Sequence, residues 1–571
     1  MVTGLGLLGR HKRLEFLAAV VLLVFLTSSG AAAKKEKKQQ DAPPSPPAAV
    51  TVPVVVLDGS GKALTGLQQA DFTLEVNGKP QTLTSVRDID TKPSPAPPYK
   101  TTFGQYSNGF NAPSTSGMVI LVLDTVHTRL ADESNIRQQC VNALHQLAEN
   151  HQSGWLLTNS MSGLHVYHDF RLSPEQTTQA IEVAEARMKG GSAEAKKLSE
   201  DSAVATDAEK MVAFLRGADS NPTPIMSPLR LMPVRSFEAM GQIAQASAGF
   251  PGRKSLVWMV ENLPFSVNVK DGKLVIEENI TSGASLNGQS MPAGESSMSD
   301  REIKGFNDLW RATQASLDAN NVAVYPLIVG DQGRQGVGPL GVSQNIPGGL
   351  SSTQAIDTRA AVLSLAEITG GRPLLMVNDI VPFVTTAAAD SSHFYLLGYT
   401  DDNKAPYRRI NVKVRGAGKE FAPAGGVSWP NATEKDDWEK QNLITALGSP
   451  IEYSGVRFAA TMKGIDPAAD KKKVSFRITL PPDTDTIDDA TSSVNVDVVL
   501  TAYDSTGKQV AQSVDRAGGQ FNPDVVKQLR QVGLGFTRDL DLSPGEYHIK
   551  IAIKNNFNGH IGTVAVPVSV K

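Results

Sequence analysis

Residues 118–124 read Met-Val-Ile-Leu-Val-Leu-Asp: six apolar side chains in a row, then a carboxylate. A strand with one wet face alternates polar and apolar residues. A run without alternation predicts a strand buried on both faces, as in a parallel sheet covered by helices. In such sheets ligands bind beyond the carboxyl ends of the strands. Asp124 therefore stands where a functional carboxylate would stand. The competing reading is that it caps the helix that follows, since Asp is a favoured N-cap.

The chain has 571 residues, enough for several domains, and a formal net charge of -3, which gives no reason to expect a nucleic-acid partner or a polybasic membrane patch. Arg10, Lys12 and Arg13 precede an apolar stretch at 16–26 and the small residues Ala31, Ala32 and Ala33. That order predicts a signal peptide over 1–33, with an uncleaved anchor as the alternative. The expected location is periplasmic or extracellular, with no stable membrane span after cleavage. Cys140 is the single cysteine, so no internal disulfide is possible.

Composition divides the rest. Residues 34–50 are charged and then Pro-rich, predicting a tether. Residues 51–90 hold short β-type runs broken by Asp58-Gly59 and Asn77-Gly78, predicting a small β unit too short for a core of its own. A Pro-, Gly- and Ser-rich linker covers 91–115. From 116 to 415 apolar runs alternate with amphipathic segments, which predicts helices on both faces of a mostly parallel sheet. Within it, residues 174–189 and 201–216 have helical patterns, and 393–400 (His-Phe-Tyr-Leu-Leu-Gly-Tyr-Thr) ends the series as a further strand. A connector spans 416–449. Seven β-type segments over 450–571 predict an immunoglobulin-like β-sandwich.

The blocks VILVLDTVHT, PGRKSLVWMV, NNVAVYPLIV, LAEITGGRPL and HFYLLGYT, followed by YRRINVKVR, together resemble the acidobacterial-type von Willebrand factor A-related domain proteins. The resemblance covers about residues 52–414. It implies a Rossmann-like α/β domain used by exported bacterial proteins for adhesion or protein–protein contact, without catalysis. The fold class expected for the chain is accordingly α/β.

Such domains hold a metal ion through a D-x-S-x-S run and a distant Thr and Asp, hard oxygen ligands that suit Mg²⁺. By resemblance, Asp124 and Thr128 match that run, whereas Val126 replaces its first Ser and offers no side-chain oxygen. Glu261 occupies the place of the distant Asp. Thr223 and Ser227 are candidates for the distant Thr, with nothing to choose between them. The metal set is thus Asp124, Thr128 and Glu261, a degenerate site for Mg²⁺. His165 and His168 lie at a spacing that points them to opposite faces of a strand, so they cannot share an ion. His127 reads as a hydrogen-bonding loop residue. The Gly-rich run GDQGRQGVGPLGV lacks the Lys-Ser/Thr ending of a phosphate loop.

The function expected is a non-catalytic interaction or adhesion protein with a protein partner. The alternative is an exported hydrolase acting on envelope polymers, resting only on the large loops at 268–299 and 330–352.

Overall fold

The computed structural model describes residues 48–91, 104–108, 117–126, 130–160, 163–168, 228–260, 263, 265–270, 273–278, 285–286, 289–290, 300–329, 352–373, 379–401, 407–416, 418–427, 432–466 and 471–571. The signal segment, most of the tether, the helices expected at 174–189 and 201–216, and the loop at 330–351 lie outside the described residues.

The Met118–Asp124 strand is central in a five-stranded sheet. The order is Val322–Ile328, Lys254–Val260, Met118–Asp124, Ser153–Ser160 and Gly163–His168. The first four are parallel and the last is antiparallel. Alternate residues of the central strand feed different cores. Met118, Ile120 and Val122 meet helices Pro228–Ala246, Asp300–Ala319 and Ser352–Thr369. Val119, Leu121 and Leu123 meet helices Leu130–Glu149 and Val381–Ser392. Both faces are dry, which is why every residue of that strand is apolar until Asp124. Cys140 is a fully buried member of the second core.

The expected class is corrected here: the chain is not an α/β, Rossmann-like chain. Parallel pairing is confined to three ladders of this one sheet, and every other ladder among the described residues is antiparallel. Strand His393–Asp401, expected to close the α/β series, instead pairs antiparallel with Ala48–Leu57 on one side and Leu83–Asp90 on the other. Burial on both faces had made it look like its predecessors. Burial pattern reports what covers a strand and carries no information on its neighbour's direction.

Residues 48–90 consequently share a two-sheet sandwich with 393–427. One sheet runs Lys419–Phe421, Ala48–Leu57, His393–Asp401, Leu83–Asp90; the other runs Gly425–Val427, Tyr407–Val414, Phe72–Val76, Lys79–Gln81. Val54, Leu74, Leu397 and Val412 belong to the core between them. The parallel sheet is inserted between Asp90 and His393. The hairpin at Asn77-Gly78 has φ of 52° and 73°, the left-handed values that a two-residue primed turn needs.

A second sandwich ends the chain. Leu534–Leu542, Lys472–Leu480 and Ala459–Asp466 form one sheet with Gln105–Ser107, a strand contributed by the segment expected to be linker. Asn108 secures it: its amide donates to the carbonyls of Tyr453 (2.6 Å) and Val456 (2.9 Å) and accepts from the Phe458 N–H (2.8 Å). The facing sheet contains Ser493–Asp504, Gly545–Asn555 and Ile561–Val570, with Gln509–Gln520 along one edge. A helix absent from the sequence reading, Pro523–Val532, joins the two sheets, capped by the Asn522 side chain. The Asn522-Pro523 start and the apolar pair Val526 and Leu529, three residues apart, were the local signals for it.

The bodies are fastened to one another. Ser454 donates through N–H (3.1 Å) and Oγ (2.7 Å) to the Ala246 carbonyl at the end of a parallel-sheet helix. Lys554 pairs with Glu439 of helix Ala432–Gly448 at 2.7 Å.

Candidate functional site

Asp124 is fully buried at the carboxyl end of the central strand. Its Oδ1 accepts from the Val126 N–H (3.0 Å) and the Asn159 amide (3.2 Å). Its Oδ2 accepts from the Ser236 hydroxyl (3.0 Å) and the Trp258 indole N–H (3.0 Å). A carboxylate has about four lone-pair positions, and the four donors among the described residues match that number. A cation at Asp124 would have to displace a donor that is itself buried. The bond to Val126 closes a turn two residues long, well before the helix that starts at Leu130, so the carboxylate braces the turn rather than capping that helix.

The donors come from neighbouring strands and from helix Pro228–Ala246, so the carboxylate ties three elements together. Thr125 strengthens the same corner, donating both N–H (2.8 Å) and Oγ1 (2.9 Å) to the Asn159 carbonyl. Thr128 and Glu261, the other members of the expected metal set, lie outside the described residues, as do His127, Thr223 and Ser227. Among the described residues no three His, Cys, Asp or Glu side chains gather to hold a metal. His165 contacts the Ser160 hydroxyl at 3.2 Å, and burial lowers its pKa. Ser236 and Trp258 were not singled out in the sequence; a Trp in a strand buried on both faces was the available signal, because a buried indole N–H usually finds an acceptor.

A second polar cluster escaped the sequence reading altogether. Arg253 donates from Nη2 to the Gly370 carbonyl (2.6 Å) and to the Tyr325 hydroxyl (3.4 Å). Tyr325 donates to Asp390 at 2.9 Å, and Arg372 pairs with the same carboxylate. Arg372 also lies over the Phe421 ring, 4.7 Å from its centroid. The PGRK, NVAVYP and TGGR blocks thus meet at Asp390. Nearby, Thr369 Oγ1 accepts from the Val324 N–H (3.0 Å) on the edge strand, and a Cβ on Gly371 would lie 1.8 Å from the Val324 carbonyl oxygen. Only glycine admits that approach.

Among the described residues no helix is long and apolar enough to cross a membrane. No protein-family model matches the chain, and no curated protein sequence matches it. Among solved structures it is similar to a β-glucuronidase from glycoside hydrolase family 2, at 16% identity and a TM-score of 0.14 over 19% of this chain and 11% of that one. It is also similar to a β-glucuronidase of Bacteroides uniformis, at 9% identity and a TM-score of 0.14 over 34% of this chain and 20% of that one. The chain therefore spans a fifth or less of either enzyme, and likeness this slight does not bear on its activity.

Proposed function

We propose that this is an exported, non-catalytic interaction protein. It binds a protein partner without a metal ion, at the edge where the parallel strands end after Asp124, Ser160, Val260 and Ile328. The observation that carries this reading is the fourfold engagement of Asp124. The carboxylate best placed for a reaction or a cation acts as a strut, which leaves the edge to work by shape and polarity. The export pattern at 1–33 and the resemblance of several blocks to exported adhesion proteins support the same reading. Both sandwiches pack against the helices that cover one face of the sheet, Tyr407 of one and Tyr453 and Ile561 of the other joining that core.

The test is capture of a partner from the native envelope fraction by the purified chain, with and without EDTA. Ser160→Arg sets a bulky cation at the strand ends and is expected to abolish capture. His548→Arg, on an exposed position of the far sandwich, is expected to leave it intact. Loss of capture in EDTA would overturn the metal-free reading. Capture unaffected by Ser160→Arg would move the contact away from this edge.

A further inference from the structure

The cluster around Asp390 carries more positive charge than it balances. Arg253 and Arg372 are permanently charged guanidinium groups. Among the described residues, Asp390 is the one acidic side chain bonded into the cluster. Tyr325 adds no charge, since burial pushes its hydroxyl up to about 12. One cation is therefore in excess, in a place where Arg253 is 1% exposed. Its hydrogen bonds are also incomplete: Nε and Nη1 of Arg253 and Nε of Arg372 are buried and have no partner. An uncompensated buried charge is destabilising, and each orphaned donor adds to that cost.

We propose that these guanidinium donors bind a small monovalent anion of chloride size, held between Arg253 and Arg372. One negative charge brings the cluster to neutrality, and a spherical acceptor serves donors that diverge from two different side chains. The surroundings restrict its size. Tyr325 lies tilted against Phe383, with centroids 6.2 Å apart, Phe421 underlies Arg372, the Gly371 backbone is pressed onto the edge strand and Gly370 onto Ala422 and Pro423. The Asp390 carboxylate, paired with Arg372 and bonded to the Tyr325 hydroxyl, disfavours a divalent oxyanion.

Thermal unfolding of the chain in sodium chloride, sodium bromide and sodium gluconate at equal ionic strength tests the site, gluconate being too large to enter. The expected result is a saturable rise of the midpoint in both halides over gluconate, lost in Arg372→Gln, which removes the excess charge. Equal midpoints in chloride and gluconate, or a halide shift that persists in Arg372→Gln, would overturn the proposal. Should that variant fail to fold, crystals of the unaltered protein grown in bromide decide the matter. An anomalous peak within hydrogen-bond reach of Arg253 Nε or Nη1 supports the site, and its absence there refutes it.

Discussion

Trp258 donates its indole N–H to Asp124 over 3.0 Å, joining two adjacent parallel strands at their carboxyl ends. Of the four donors to this carboxylate among the described residues, three are side chains of elements distant in sequence. Asp124→Ala would take the acceptor from the buried Trp258 indole and Asn159 amide and remove one partner of Ser236. At about 1–3 kcal/mol for each unsatisfied group, we expect a loss of about 3 kcal/mol or more in urea unfolding, and about 1–2 kcal/mol for Trp258→Phe if packing is kept. A change below 1 kcal/mol for Asp124→Ala would show that the strut is weak.

Lys254 is buried at the start of its strand, donating from Nζ to the carbonyls of Asn320 (2.8 Å) and Gly252 (3.1 Å). Burial pushes its pKa down to about 7 from the ordinary 10.5. The unfolded chain therefore holds a proton on this amine that the folded chain releases between pH 7 and 10.5. The stabilisation is present in full above 10.5 and is lost as pH falls through 7, with a slope of about 1.4 kcal/mol per pH unit inside that window. Stability measured from pH 7 to 10 should rise in the parent chain and rise less in Lys254→Met.

Asp318 accepts from the Val427 N–H at 3.1 Å where helix Asp300–Ala319 meets the first sandwich, close to Arg408. Here burial acts with the opposite sign, raising the carboxyl to about 7. Its contribution is complete below the ordinary value of 3.8 and is lost as pH rises through 7. Glu238, raised to about 7 by burial despite its 3.3 Å pair with Arg235, has the same sign. Asp318→Asn should flatten the fall in stability between pH 4 and 7. An unchanged slope would assign that fall to other groups.

Gly371 and Gly416 make a contrasting pair. A Cβ at Gly371 meets the Val324 carbonyl oxygen at 1.8 Å, whereas Gly416 has open space and a φ of 73°. Gly371→Ala must move an edge strand, and we expect it to cost about 3 kcal/mol or to prevent folding. Gly416→Ala meets only the left-handed backbone penalty, about 1 kcal/mol. Equal midpoints for the two variants in chemical unfolding would contradict the close approach.

The strands at 118–123, 255–260 and 322–328 were legible as buried because their apolar runs must be dry on both faces. Helices with a regular apolar face, such as Leu130–Glu149, were legible for the same reason. The turn glycines announced the Asn77-Gly78 hairpin. The strut at Asp124 was half legible: the carboxylate was conspicuous, but Ser236 lies 112 residues away and nothing local ties it to Asp124. The Arg253, Tyr325, Arg372 and Asp390 cluster was invisible, since each residue sits singly in its own segment and becomes chemistry only when four elements converge.

By itself the sequence determined which long apolar runs are strands dry on both faces and that Asp124 stands at a strand end, because those follow from local periodicity and burial. Only the tertiary structure decided which strand pairs with which and in what direction. That choice sent His393–Asp401 into an antiparallel sandwich with residues 48–90, and Gln105–Ser107 into the far one. It also decided what Asp124 is for. Backbone hydrogen bonds are the same in kind whichever partner supplies them, so pairing is settled by how the whole set of apolar faces can be buried at once.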